Sequence, residues 1–139
     1  MKVNECMTQT LERIQADAPI SEAARLMDGH DIGCLAVQQD SQIVGVVSDR
    51  DIVVRSLAGE GDPKQLQVSQ VMTTEPVTCS ESDDVQTVAQ RMKEKKVRRL
   101  IVLDVDGNPV GMVTLGDIAA RGHQTESAGT VMEEVCSAP

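Results

Sequence analysis

The chain is written twice. Displaced by 65 positions it matches itself at Val3 and Val68, Met7 and Met72, Met27 and Met92, Leu35 and Leu100, Val37 and Val102. One extra residue enters between 104 and 108, and at a displacement of 66 the match resumes: Gly45 with Gly111, Ser48 with Thr114, Asp51 with Asp117, Ile52 with Ile118, Arg55 with Arg121. So many matches across a single gap mark a duplication. Each copy is a supersecondary unit too small to bury its own apolar face, so two must bury each other. The 139 residues fit one domain. A chain of this size buries roughly 68% of its unfolded surface, enough for a core without disulfides or a metal.

Each copy spells the same elements. A short lead-in, residues 3–7 or 68–72, precedes an extended piece at 11–14 or 77–79. A helix follows: Ile20, Ala23, Ala24 and Met27, like Val85, Val88, Ala89 and Met92, recur at i, i+3, i+4 and i+7, one apolar stripe to one core face. Pro19 suits a helix start. Two strands come next, at 34–37 and 43–47, repeated at 99–103 and 110–113. The turn residues at 39–42 and 104–109 make each pair a hairpin. A last helix closes each copy, over Asp49–Leu57 and Leu115–Arg121. The expected fold class is mixed α/β (α+β): two β-α-β-β-α repeats packed as pseudo-twofold partners, related sites falling in clefts between them. The expected division is residues 1–62 for the first repeat with its linker, 63–123 for the second, and 124–139 for a polar tail. That tail is expected either to begin a last short helix near Val131 and Met132 or to be frayed.

The chemistry gathers where the second strand meets the closing helix. Gly45-Val46-Val47-Ser48-Asp49-Arg50-Asp51-Ile52 returns as Gly111-Met112-Val113-Thr114-Leu115-Gly116-Asp117-Ile118. A hydroxyl residue ahead of a helix caps the unpaired first N–H groups. Such a terminus suits an anion. The Asp that follows can accept hydrogen bonds from sugar hydroxyls. A first-turn acid also stabilises its helix, by about 0.3–1 kcal/mol, but capping alone explains one such acid better than the same spacing twice. The reading from the residues is a duplicated nucleotide site. The one basic run is Lys93, Lys95, Lys96, Arg98 and Arg99. The lysines read as a solvated helix end. Arg98 and Arg99 open a strand, where alternation sends them to opposite faces.

Composition closes other routes. There is no Phe, Tyr or Trp, the hydrophobic fraction is 40% and the net charge is −9. A bound base must rest on aliphatic walls and backbone. An acidic chain without aromatics is a poor binder of DNA or RNA. No apolar run approaches 18 residues, and the start lacks the apolar core of a signal peptide, so a cytoplasmic protein without a membrane segment is expected. Cys6, Cys34, Cys79 and Cys136 form no C-x-x-C pair, and only His30 and His123 could join them. Free thiols are expected rather than a metal site. The repeats leave too few residues for a catalytic domain, and no His, Cys or Lys stands beside Asp49 and Asp51 at a convincing spacing. The chain reads as no enzyme.

With Gly-h-h-[Ser/Thr]-x-x-Asp-Ile in matching frames, each copy preceded by Val-x-x-[Cys/Val]-Met-Thr and an Ala-Met helix, residues 3–122 resemble a pair of cystathionine β-synthase (CBS) domains, a Bateman module. The run Ser48 to Arg55, followed by Gly61-Asp62-Pro63, is similar to small bacterial proteins made of one CBS pair, hypoxia-response members among them. The resemblance implies a regulatory sensor without a required cofactor, binding an adenosyl ligand: AMP, ADP, ATP or S-adenosylmethionine. It implies that Asp51 and Asp117 accept from ribose hydroxyls, that Ser48 and Thr114 meet phosphate or ribose oxygens, and that Arg98 and Arg99 stand where phosphate is held. Backbone near Glu12 and Val77, with Ile32 and Val97, would wall the adenine. Gly33 and Cys34 replace the two arginines in the first copy, and Gly116 replaces Arg50 in the second, so the sites are unequal. A homodimer and a regulated protein partner are the implied associations. The alternative is a ligand-free dimerisation or interaction module.

Overall fold

A computed structural model describes residues 1–59 and 61–121. His123, Cys136 and the tail, with the last helix or frayed end expected there, lie outside the described residues.

Each apolar stripe becomes a helix. In α1 (Ile20–His30) the stripe buries Ile20, Ala23 and Met27. In the helix that matches it, α3 (Val85–Lys95), it buries Val85, Val88, Ala89 and Met92. Both helices stop on a left-handed residue, Asp31 at φ 53° and Lys96 at φ 55°. β1 (Arg13–Gln15) precedes α1, and between the two helices come β2 (Cys34–Gln39), β3 (Gln42–Ser48), α2 (Asp49–Leu57), β4 (Thr73–Thr74) and β5 (Thr78–Ser80). After α3 come β6 (Arg99–Leu103), β7 (Pro109–Thr114) and α4 (Leu115–Arg121). The expected β-α-β-β-α order therefore holds in both copies.

The helix crossover lays β1 parallel to β2, and β5 parallel to β6. The hairpins β2–β3 and β6–β7 are antiparallel. Asp40 and Ser41 turn the first with φ of 51° and 67°, as a two-residue turn with both central residues left-handed must. In the second, Asp104 accepts the N–H groups of Asp106 and Asn108 at 2.9 and 2.8 Å, and Gly107 takes φ 82°. Both hairpins slip register at the matching place, after Val37 and after Val102.

The folded units are not cut where the repeats are. One compact unit joins Met1–Leu11 to the described part of Val77–Pro139; the other is Glu12–Pro76. The lead-ins have been exchanged. Val3, Cys6 and Met7 lie in the buried cluster of Met92, Leu100, Val113 and Ile118. Val68 and Val71 lie in that of Ile14, Met27, Leu35 and Val47. A repeat does not close its own core; the other repeat's lead-in does. Each such residue, fully buried, contributes about 1.5–3 kcal/mol.

The motif glycines make this exchange possible. β4 pairs with β3 at Gly45 and Val46. A β-carbon on Gly45 would lie 2.5 Å from the Thr73 carbonyl oxygen. Thr8 pairs with Met112 in the same way, and a β-carbon on Gly111 would collide with the Thr8 carbonyl oxygen.

Candidate functional site: two capped strand–helix junctions

In the unit Glu12–Pro76, β3 ends at Ser48 and α2 begins at Asp49. The Asp51 N–H donates to Ser48 Oγ at 3.1 Å, and the Ser48 N–H donates to Asp51 Oδ2 at 3.0 Å. In the other unit the Asp117 N–H donates to Thr114 Oγ1 and the Thr114 N–H to Asp117 Oδ2, both at 3.0 Å. The repeated hydroxyl and acid are therefore reciprocal caps in both copies. The cap occupies one carboxylate oxygen and fixes the direction of the other. A carboxylate has about four lone-pair sites, so capping and ligand acceptance are compatible. Asp51 and Asp117 are half-buried.

The strand lead-ins meet these junctions through one repeated bond. The Asp49 N–H donates to the Gly33 carbonyl at 3.0 Å, and the Leu115 N–H to the Arg98 carbonyl at 2.8 Å. Cys34 pairs with Ser48 across β2 and β3, and Arg99 with Thr114 across β6 and β7. Arg98 is exposed just before β6 and Arg99 half-buried at its first position. Ile32 packs against one core, and Val77 and Val97 against the other. The backbone at Glu12 and Val77 is held at the sheet, Glu12 by the Ala36 N–H at 3.0 Å and Val77 by the Ile101 N–H at 3.1 Å. The Glu12 side chain lies 3.7 Å from His30. Ser48, Arg50, Asp51, Ile32 and Glu12 belong to one unit. Thr114, Asp117, Arg98, Arg99, Val77 and Val97 belong to the other. Arg50 is exposed in the first turn of α2, its N–H bonded to Asp49 Oδ1 at 2.8 Å.

Two residues carry more than their sequence positions revealed. Arg55 Nη1 donates to the carbonyls of Val71 and Met72 at 3.0 and 2.8 Å, while its Nε lies 3.9 Å from Asp51 Oδ1. The i, i+4 spacing of Asp51 and Arg55 was the available signal. Asp49 sets its carboxylate over Gly33, where a β-carbon would meet Oδ2 at 3.1 Å; no spacing announces that. A separate polar depression of about 340 Å³, lined by Gln15, Asp17, Gln38 and Asp40 among others, lies at the turn end of the β2–β3 hairpin, away from Ser48. Cys6, Cys34 and Cys79 are in no disulfide, and no group of three metal-ligating side chains occurs among the described residues. Nor, among the described residues, is any helix long and apolar enough to cross a membrane.

Two α+β units, each with a hydroxyl and an acid capping one another at a strand–helix junction, define a duplicated small-domain module. A family model for the CBS domain matches residues 3–57 and 68–123. The chain belongs to the CBS domain family, as a CBS pair. The CBS domain-containing protein YhcV of Bacillus subtilis is 35% identical over 133 residues, covering 96% of this chain and 94% of YhcV. The crystal structure of TA0289, a conserved CBS domain protein of unknown function from Thermoplasma acidophilum, superposes with a TM-score of 0.87 at 25% identity, over 99% of this chain and 77% of that one. The CBS domain pair of MJ0100, solved in complex with 5′-methylthioadenosine and S-adenosyl-L-methionine, has a TM-score of 0.75 over 86% of this chain and 93% of its own. At 24% identity that likeness is one of fold.

Proposed function

We propose that this CBS pair is a sensor that binds adenosyl nucleotides at its capped junctions and passes their occupancy to a second copy or a protein partner. The observation that carries this reading is the paired cap. It holds the Asp51 and Asp117 carboxylates by the same pair of bonds in two units, at 3.0 or 3.1 Å. A helix needs a cap, but it does not need the same half-buried carboxylate beside a strand lead-in of aliphatic wall residues twice over. The MJ0100 pair was solved with 5′-methylthioadenosine and S-adenosyl-L-methionine, which supports the adenosyl class; the compounds to present to this chain are AMP, ADP, ATP and S-adenosylmethionine. A ligand of about 23 heavy atoms at roughly −0.3 kcal/mol per atom binds near 10 μM, suited to sensing cellular levels. Binding that favours one arrangement of the chain shifts its population, and any surface that differs between arrangements follows.

Calorimetry with AMP, ATP and S-adenosylmethionine tests it. Asp117→Ala is expected to weaken binding roughly ten- to hundredfold through a lost charge-assisted contact of about 1.5–3 kcal/mol. Asp117→Asn, which keeps an acceptor for the cap, separates ligand loss from cap loss. Equal affinities in wild type and both variants would remove Asp117 from the site.

The ligand-free interaction module remains the second reading, favoured by one observation. Val53, Val54 and Leu57 stand on α2 at 54%, 47% and 71% exposure. Such a face suits a homodimer. A flat thermal response to the whole panel, with wild type dimeric and Leu57→Lys monomeric by light scattering, would favour it. A true ligand at 100 times Kd adds about 2.7 kcal/mol of stability.

A further inference from the structure

The two junctions have the same backbone and opposite charge. The Asp49–Gly33 and Leu115–Arg98 hydrogen bonds place Gly33 and Arg98 at one position and Asp49 and Leu115 at another. Asp31 and Lys96 share a third, both left-handed with φ of 53° and 55°. At these three positions the unit Glu12–Pro76 carries acid, glycine and acid; the other carries lysine, arginine and leucine. Cys34 against Arg99, and Glu12 against Val77, widen the contrast in the same sense. The reversal is spatial as well as sequential. Where the Arg98 side chain leaves the backbone in one unit, the other has the Asp49 carboxylate, 3.1 Å from the β-carbon position of Gly33. Arg50 against Gly116, and Arg13 against Thr78 in the strand before, run the other way; both arginines are exposed, and Arg50 stands between two aspartates in the chain.

We infer that the two sites divide adenosyl ligands by charge. This rests on the adenosyl reading above. The unit with Arg98, Arg99 and Thr114 takes adenosine phosphates, because a guanidinium matches a phosphate with two parallel donors. The unit with Asp49 and Gly33 takes adenosyl compounds whose 5′ substituent is uncharged or cationic, a thioether or a sulfonium. A phosphate placed there would face the Asp49 carboxylate, and like charge at an interface rejects the wrong ligand more strongly than matched charge rewards the right one. The chain would then report the ratio of two adenosyl pools.

Calorimetry on the full chain with AMP, 5′-methylthioadenosine and S-adenosylmethionine decides it, with Asp51→Asn and Asp117→Asn marking which site each compound uses. AMP binding is expected to respond to Asp117→Asn and S-adenosylmethionine binding to Asp51→Asn. Arg98→Ala is expected to lower AMP affinity about five- to tenfold relative to 5′-methylthioadenosine. Asp49→Asn is expected to lower the preference of the first site for S-adenosylmethionine over AMP by about fivefold. Added salt should weaken AMP binding and leave that of the uncharged thioether. If all three compounds bind both sites with one affinity order, or Arg98→Ala leaves the AMP preference unchanged, the division by charge is wrong while the adenosyl reading stands. If none of them binds, both fall together.

Discussion

Gly45 lies against Thr73: a β-carbon on the glycine would sit 2.5 Å from the threonine carbonyl oxygen and 2.9 Å from Met72 Sδ. Thr73, in β4, directly follows the lead-in of the second repeat, and Gly45 belongs to the hairpin of the first. The exchange that closes each core passes through this contact and through its counterpart at Gly111 and Thr8.

Gly45→Ala and Gly111→Ala are each expected to destabilise the protein by about 1–3 kcal/mol, as overpacking does. The methyl group meets backbone, which cannot swing aside as a side-chain tip can. Thermal unfolding of the two variants, with Gly29→Ala as the reference because nothing lies within 4 Å of a β-carbon there, provides the measurement. Unchanged melting temperatures would mean that the lead-ins shift without cost.

Ser48→Ala and Thr114→Ala each remove one hydroxyl acceptor from a reciprocal cap and leave the Asp51 or Asp117 carboxylate in place. The expected loss is about 1 kcal/mol for either, within a range of about 0.5–2. Urea titration measures it. Losses well below this would show that the carboxylates alone secure the two helix starts.

Cys79 links packing to pH. Burial, and next the Asp83 carboxylate, push its thiol from 9.0 up to about 12, while Arg91 opposes the shift. The unfolded chain releases this proton near 9.0 and the folded chain holds it to about 12. Above pH 9 the unfolded state therefore binds fewer protons, and the stability that Cys79 contributes is intact below that pH and lost progressively toward 12. Cys79→Ala should show a shallower fall in melting temperature between pH 9 and 11 than wild type. Equal slopes would mean that the thiolate is tolerated in the core.

Much of this architecture was legible because it depends on period. The stripe through Ile20, Ala23 and Met27, and its copy through Val85, Val88 and Met92, placed two helices correctly. The strand ends at Ser48 and Thr114 fell where hydroxyl capping requires. What could not be read was which core each lead-in enters. Val3 and Val68 have the same local sequence environment whether they pack on their own repeat or on the other, and only the closed fold decides. The charge reversal at Gly33 and Asp49 was half legible. Missing arginines were visible in the alignment of the repeats, but the position of the Asp49 carboxylate over Gly33 depends on a strand and a helix meeting in space.

Arg55 joins the proposed site to the exchanged lead-in. Its Nη1 holds the carbonyls of Val71 and Met72, and its Nε faces Asp51 Oδ1 at 3.9 Å, so one guanidinium spans the cap of α2 and the segment leading into β4. A lysine there could offer a point charge but not a planar fork reaching both partners. Arg55→Lys should cost about 1 kcal/mol, and Arg55→Met somewhat more, both moderated because the side chain is about half exposed. The more specific effect should be local. Amide exchange at Thr73 and Thr74 should accelerate in both variants, while exchange in β6 and β7, which belong to the other unit, should not. Exchange that rises equally in both units would show that Arg55 supports global stability alone, with no particular hold on the lead-in.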